Sequence, residues 1–479
     1  MSFPRLLEVA LAGTLRQEPP PVLAGQEALS AERRLLRGAS YEGMRRLAGR
    51  PVERVQGGVP IEPAQSELFA EIPPAAAVRL AEILETRPEL LREWLRLAVG
   101  RNLRVPPLSV PDLLEHARTE SDTELRELIV VVGAQRMAWL AGLNPEWRFA
   151  AYADPEQQLT LGLPDERAAA LRRIRRQNPA RGRELMHELW AAERGDARQK
   201  LLDALVIGLS DADEPFLEQA IRDARREVRG TALRLIRRIP NSRFGQRWSE
   251  RARQIFTLKG ARLEIREPAA EAAPEWVADG LDPRPPKGIG ATAWLLQQIL
   301  ALTPPSVWPR TALAAIGHSD WPMPLLTGIA EAARAYGDAA WSEDLLRLWA
   351  GAANREEKLP FDPGDLYGIL GTQCAETVLR RVLELNPMLV EKLIGVRSDP
   401  WSMDLSRFVI QQLASWYTKQ RYPLTFFVRD AELLCDPRVL PEAERMLDTE
   451  MKSIYATGVV DRLVDTLDYR LAMRQELAK

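Results

Sequence analysis

The sequence predicts an all-α chain, an array of helical hairpins interrupted by one small β-hairpin. Three observations carry that expectation. Apolar residues recur at helical spacing along most of the chain. Prolines mark the starts of these segments far more often than their interiors, as at Pro215, Pro309 and Pro322. One pattern also recurs: Arg198, Leu201, Leu202 and Leu205 align with Arg229, Ala232, Leu233 and Ile236, offset by one short helical hairpin. At 479 residues, 46% of them hydrophobic, the chain can bury a large core and is expected to divide into several structural units.

Residues 1–60 read as short helices (Leu6–Leu15, Glu27–Leu36, Tyr41–Leu47) broken at Pro19-Pro20-Pro21 and closed by a Gly57-Gly58-Val59-Pro60 linker. Residues 61–180 form an N-terminal helical array. There Val78, Ala81, Ile83 and Leu84 precede Leu90, Leu91, Trp94, Leu95 and Ala98, with Pro88 opening the second helix. The apolar run Leu128–Val132 lies among helix formers at helical spacing, so it is read as a buried helix despite three consecutive valines. Residues 181–254 hold the most regular segment, Asp213–Pro240. Acids and a proline open its first helix, where the helix dipole and the missing N–H suit them. Phe216, Leu217, Ala220, Ile221 and Ala224 make one apolar stripe, and Val228, Ala232, Leu235, Ile236 and Ile239 a second. Neither stripe can be buried by its own helix, so stacked neighbours are required.

Residues 255–290 break the pattern. Ile255–Leu258 and Arg262–Ile265 flank Lys259-Gly260 and predict a β-hairpin within 255–266, followed by a Pro- and Gly-rich irregular linker, Pro268–Gly290. Residues 291–479 return to helices: Trp294–Leu302, Trp308–Ile316, Pro324–Tyr336, Trp341–Ala350, Leu366–Leu385, Leu405–Gln420, Thr425–Leu434, Pro441–Ser453 and Val459–Ala478. Trp294, Trp308, Trp321, Trp341, Trp349, Trp401 and Trp416 fall in this half and are assigned to core and inter-repeat packing, with an exposed aromatic surface for a peptide or partner helix as the alternative.

With Asp223 in its turn and Val228-Arg229 opening its second helix, the Asp213–Pro240 hairpin resembles a HEAT repeat, which makes the expected fold a HEAT-like α-solenoid. The resemblance implies a structural ladder role for Asp223 and Arg229, stacking between repeats. A longer resemblance rests on Gly13-Thr14-Leu15-Arg16-Gln17, on Gly133 through Trp139-Leu140-Ala141 to Asn144-Pro145-Glu146-Trp147, and on Gly208 through Asp213 to Leu217. Trp294-Leu295-Leu296-Gln297-Gln298 and Thr466-Leu467-Asp468-Tyr469-Arg470 extend it. These segments resemble an uncharacterised bacterial HEAT-like family encoded beside MoxR-type AAA+ ATPases, von Willebrand A-domain proteins and SWIM zinc-finger proteins. That resemblance implies a neighbourhood of protein partners and brings no catalytic residue with it.

The residues themselves show little chemistry. His116, His187 and His318 lie far apart and form no metal-ligand spacing. Gly288-Ile289-Gly290 lacks the third glycine and the Lys-Ser/Thr of a phosphate loop, so it reads as a helix-entry turn. Cys374 and Cys435 stand in apolar contexts and are expected to be free thiols in a reducing compartment. No apolar run is long enough to cross a bilayer, and Met1–Gly13 carries a single basic residue, so no membrane association and a cytoplasmic location are expected. No cofactor or metal is expected.

Charge is uneven. Between Glu166 and Arg262 there are 23 basic and 13 acidic residues, so the remainder carries net −12. Within this basic stretch Arg172, Arg173, Arg175, Arg176, Arg225 and Arg226 are the candidate contacts to a partner or to phosphate. The expected function is a non-enzymatic protein-interaction scaffold, acting with an AAA+ ATPase or von Willebrand A-domain protein in a chaperone-like system. The alternative is nucleic-acid backbone binding through the same arginines. Interleaved acids and a pI near 6.2 count against the alternative.

Overall fold

A computed structural model describes residues 3–19, 29–48, 62–64, 66, 69–151, 154–193, 195–268, 273–418, 425–448 and 454–478. They fall into two compact units, Met1–Pro63 and Ala64–Lys479. The fold is all-α with one small β-hairpin.

In the first unit, helix Phe3–Ala12 packs on helix Ala31–Ala48, with Leu6 and Val9 buried. The Thr14 hydroxyl donates to Glu32 at 2.9 Å. The two helices expected over Glu27–Leu36 and Tyr41–Leu47 are one. Gly38-Ala39-Ser40 contains no proline, and a lone glycine weakens a helix interior by only about 1 kcal/mol. Pro20, Pro21 and the Gly57–Pro60 linker lie outside the described residues.

The second unit has two hydrophobic cores. One gathers helices Pro74–Thr86, Leu91–Gly100, Val110–Thr119 and Thr123–Gly142 around Leu80, Ile83, Trp94, Leu113 and Ile129. The other runs from Leu159 to Leu467. Thr123–Gly142 is kinked at Ala134, whose φ of 44° and ψ of −133° are strained for a residue with a Cβ. The kink frees the Val132 carbonyl, which accepts the Val105 N–H at 3.1 Å.

The Asp213–Pro240 hairpin forms where the periodicity places it, except that Ala224, expected in the first stripe, lies exposed in the turn because the first helix ends at Ala220. Helices Glu214–Ala220 and Arg226–Ile236 bury Phe216, Leu217, Ala220, Val228, Ala232, Leu235 and Ile236. Strands Phe256–Lys259 and Arg262–Ile265 pair antiparallel, Thr257 opposite Glu264, across a turn in which Gly260 takes a φ of +61°. The segment expected to be an irregular linker is anchored. It contains helix Pro274–Ala278, and buried Asp279 accepts from Arg247 at 3.0 Å and Arg251 at 2.8 Å. Trp248 donates to the Asp279 carbonyl and stacks edge-on against Trp276. Gly290 caps the following helix, Ala291–Leu302, so Gly288–Gly290 is a helix entry.

In the C-terminal half the expected helix Leu366–Leu385 is two, Pro363–Tyr367 and Thr372–Leu385, because Gly368 and Gly371 interrupt it. Trp341, Trp349, Trp401 and Trp416 are buried, and Trp308 and Trp321 pack against the same core.

The array closes on itself. The last helix, Ile454–Glu476, sends Val460, Leu463 and Leu467 into the long core and Tyr469 and Met473 into the N-terminal one. Arg470, fully buried, donates to Glu93 at 2.6 Å and to the Glu432 and Cys435 carbonyls at 2.8 and 2.7 Å. Arg474 also reaches Glu93, and Arg79 meets Glu476 at 2.6 Å. The guanidiniums of Arg79 and Arg87 lie 4.3 and 4.4 Å from the centre of the Tyr469 ring. Polar and apolar contacts thus tie the end of the second unit to its beginning.

Candidate functional site

The six candidate arginines do not converge. Arg175 faces inward on helix Pro164–Gln177 with Ala168, Leu171 and Ile174 and is wholly buried. Its guanidinium donates to both Asp213 carboxylate oxygens, at 3.2 and 2.9 Å, and to the carbonyls of Pro179, Leu205, Ile207 and Gly208. Arg183 adds a third cationic contact to Asp213 at 3.3 Å. The surrounding backbone is shaped to this pair. A Cβ on Gly182 would overlap the Arg175 stem, and Gly208, at φ +63°, would bring a Cβ within 2.8 Å of Pro179. Arg175 therefore cannot meet a partner or a phosphate, and it leaves the surface set as a structural residue.

Arg172 and Arg176 both bind Glu127 on helix Thr123–Gly142, Arg172 at 3.1 Å. They bridge the seam where the two cores of the second unit meet without merging. A cleft of about 570 Å³ opens at this seam, walled by Arg126, Glu127, Val130 and Phe149 on one side and by Ala168, Ala169, Arg172 and Arg173 on the other. Each acid in the cleft is engaged. Glu127 holds the two arginines, Asp165 meets Lys200 at 2.7 Å, Asp203 meets Arg234, and Glu166 accepts the Leu163 N–H at 2.8 Å.

Two cations in the cleft have no carboxylate partner among the described residues. Arg126 lies over the Phe149 ring, 4.9 Å from its centre. Arg173 donates from Nη2 to Gln158 Oε1 at 2.6 Å, while its buried Nε has no hydrogen-bond partner among the described residues. Burial holds the Arg173 guanidinium below its ordinary pKa, and the charge of Glu127 offsets this only in part.

Arg225 and Arg226 stand elsewhere, on the exposed turn between the two helices of the hairpin, with Arg222 beside them. None of the three guanidiniums has an acid partner among the described residues. The neighbouring Asp223 is occupied: it accepts from Arg198 of the preceding hairpin at 3.0 Å and caps the Arg225 N–H. Arg229 donates to the carbonyls of Asp223 and Ala224, both at 2.9 Å. The inter-hairpin tie is thus Asp223 to Arg198, and Arg229 fastens the turn.

No group of metal-ligating side chains occurs among the described residues. His116 lies 3.9 Å from Glu120, His187 stacks edge-on against Phe216, and His318 Nδ1 contacts the Ala314 carbonyl. Both cysteines are free, and burial pushes the Cys435 thiol up to about 12. No helix among the described residues is long and apolar enough to cross a membrane.

The sequence reading missed Arg126, Gln158 and Lys200 as cleft residues, because only the meeting of three helices brings them together. It also missed the last helix as a latch, although Tyr469 and Arg470 belong to a segment already singled out.

Fold and site together define an all-α helical array, closed by its last helix, with a charged cleft at its seam and an unpaired basic turn. The chain belongs to DUF5691, a family of unknown function whose model matches residues 5–477. No curated protein and no solved structure matches it.

Proposed function

We propose that this chain is a non-enzymatic protein-interaction scaffold that takes an acidic partner surface on the turn bearing Arg222, Arg225 and Arg226. The observation that carries this reading is the contrast among the arginines. In the body of the array Arg175, Arg176, Arg198 and Arg234 bind Asp213, Glu127, Asp223 and Asp203 internally, whereas the three grouped on this exposed turn have no acid partner among the described residues. Unpaired guanidiniums grouped on an exposed turn suit carboxylates on a partner, which they can engage bidentately. The array behind them is held by its latch, so the turn is presented on a stable support.

The same contrast favours protein over nucleic acid. A backbone-tracking surface needs a stripe of free cations, and here the basic residues expected to form one are divided between interior, seam and turn. The resemblance to proteins encoded beside AAA+ ATPases and von Willebrand A-domain proteins makes a member of such a chaperone-like system the proposed partner.

Cross-linking and affinity recovery from the native host, at natural expression, tests this. Recovery of an AAA+ ATPase or A-domain protein, abolished by Arg222→Glu, Arg225→Glu and Arg226→Glu together while the melting temperature holds, supports it. Recovery of the chain alone, or of a partner insensitive to those changes, overturns it. Duplex or single-stranded DNA bound in a salt-sensitive way and lost in the triple variant would establish the nucleic-acid alternative instead.

A further inference from the structure

We infer that the outer face of helix Ala31–Ala48, in the first unit, docks an acidic amphipathic helix of a protein partner. The face shares no residue with the basic turn of the second unit, so the inference goes beyond the function proposed above.

The first unit buries Leu6 and Val9 yet leaves Leu7, Leu11, Leu15, Leu36 and Met44 exposed. Single exposed apolar residues are ordinary, but several on so small a helix pair mark a surface that another element covers. On helix Ala31–Ala48 they are ordered. Gly38 and Glu42 mark its buried side. At about 3.6 residues per turn, Arg33, Leu36, Arg37, Ser40 and Met44 fall within about 100° of arc on the opposite side, and all five are exposed. Leu36 is 67% and Met44 64% exposed. They stand two turns apart, roughly 12 Å along the axis. Ser40 and Gly43 lie between them, and a Cβ on Gly43 would meet nothing within 4 Å. The face is therefore two apolar knobs about a hollow, relief that the side chains of another helix fill.

Charge selects the partner. Arg33 and Arg37, one turn apart, have no acid partner among the described residues. Glu18, Glu32 and Glu42 are already engaged within the unit, by Arg34, Thr14 and Arg45. Two free cations interleaved with two apolar side chains suit a helix whose leucines are flanked by glutamates or aspartates. A second copy of this chain fits poorly, because an isologous contact sets Arg33 and Arg37 against the same arginines. A bilayer surface takes a continuous apolar stripe, which Ser40 interrupts here.

The test uses the full-length chain and a fluorescein-labelled synthetic helix, its leucines recurring every three and four residues between glutamates, read by fluorescence anisotropy. The same peptide with lysine in place of glutamate is the comparator. The expected result is saturable binding of the acidic peptide and at least tenfold weaker binding of the basic one. Arg33→Glu with Arg37→Glu should reverse that preference, an outcome that loss of folding cannot imitate. Leu36→Asp with Met44→Asp should abolish binding at an unchanged melting temperature, and Arg222→Glu, Arg225→Glu and Arg226→Glu together should leave it intact. Absence of saturable binding, equal affinity for the two peptides, no reversal by the charge swap, or loss of binding in the triple variant would each overturn the inference. A melting temperature lowered by the Leu36→Asp and Met44→Asp changes would overturn it too, by showing the face covered within the chain itself. So would phosphatidylserine vesicles bound, or a dimer seen in sedimentation velocity, that the same two changes abolish.

Discussion

Replacing Arg175 with methionine separates an interior role from a surface one. The guanidinium is fully buried, pairs with an equally buried Asp213, and donates to four backbone carbonyls. Removing one member of a buried ion pair costs about 3–5 kcal/mol, because the other charge is left uncompensated. Arg183 at 3.3 Å and the Ser210 N–H at 3.0 Å still reach Asp213, which places Arg175→Met near the lower end, about 3 kcal/mol. Methionine fills much of the space of the arginine stem, so little cavity cost adds to this. Urea denaturation followed by circular dichroism reads the change as a lower midpoint at unchanged slope. Arg226→Met, on the exposed turn, should change the unfolding free energy by less than about 0.5 kcal/mol. The paired variant R175M/D213L should recover much of the loss, since exchanging a whole buried pair for apolar groups is often near neutral. Equal effects of Arg175→Met and Arg226→Met would refute the assignment of Arg175 to the interior.

Two further predictions concern protons and thiols. Desolvation pushes the Asp430 carboxyl from an ordinary 3.8 up to about 6, and its buried Oδ2 has no hydrogen-bond partner among the described residues. The folded state therefore holds this proton more tightly than the unfolded one. The resulting stabilisation is present at about pH 4 and below and is lost as pH rises through about 6. Asp430→Asn should raise stability near pH 7.5 by about 1 kcal/mol, after allowance for partial exposure, and change nothing near pH 4. A pH-independent effect in chemical denaturation would contradict this. Cys435, buried and with a raised pKa, should react with a disulfide reagent at the rate of global unfolding, whereas half-buried Cys374 should react in the native state. Two fast-reacting thiols would contradict the burial.

Local structure was legible where periodicity and turn chemistry acted within one hairpin. The stripes of Asp213–Pro240, the β-hairpin around Gly260 and the helix over Leu128–Val132 all follow from residues a few positions apart. Arg175 was legible in principle. It lies seven residues after Ala168 and four after Leu171, on the buried face, but its neighbours Arg172, Arg173 and Arg176 made the run look like one solvated surface. Arg470 follows the same rule, at Leu463 plus seven and Leu467 plus three. Closure could not be read locally, because Glu93 and Arg470 are separated by most of the chain. The cleft was hidden for the same reason: Arg126 and Arg173 come from different cores, and only packing brings Phe149 beneath one of them.

The last helix closes the helical array of the second unit. Carbodiimide coupling in an Arg79→Lys variant tests it directly, since this zero-length reagent joins an amine to a carboxylate only in contact, and Arg79 meets Glu476 at 2.6 Å. A closed array yields an amide linking positions 79 and 476 in the monomer band, identified by mass spectrometry of the digested protein. Absence of that link, or its appearance only in dimers, would contradict a closed array.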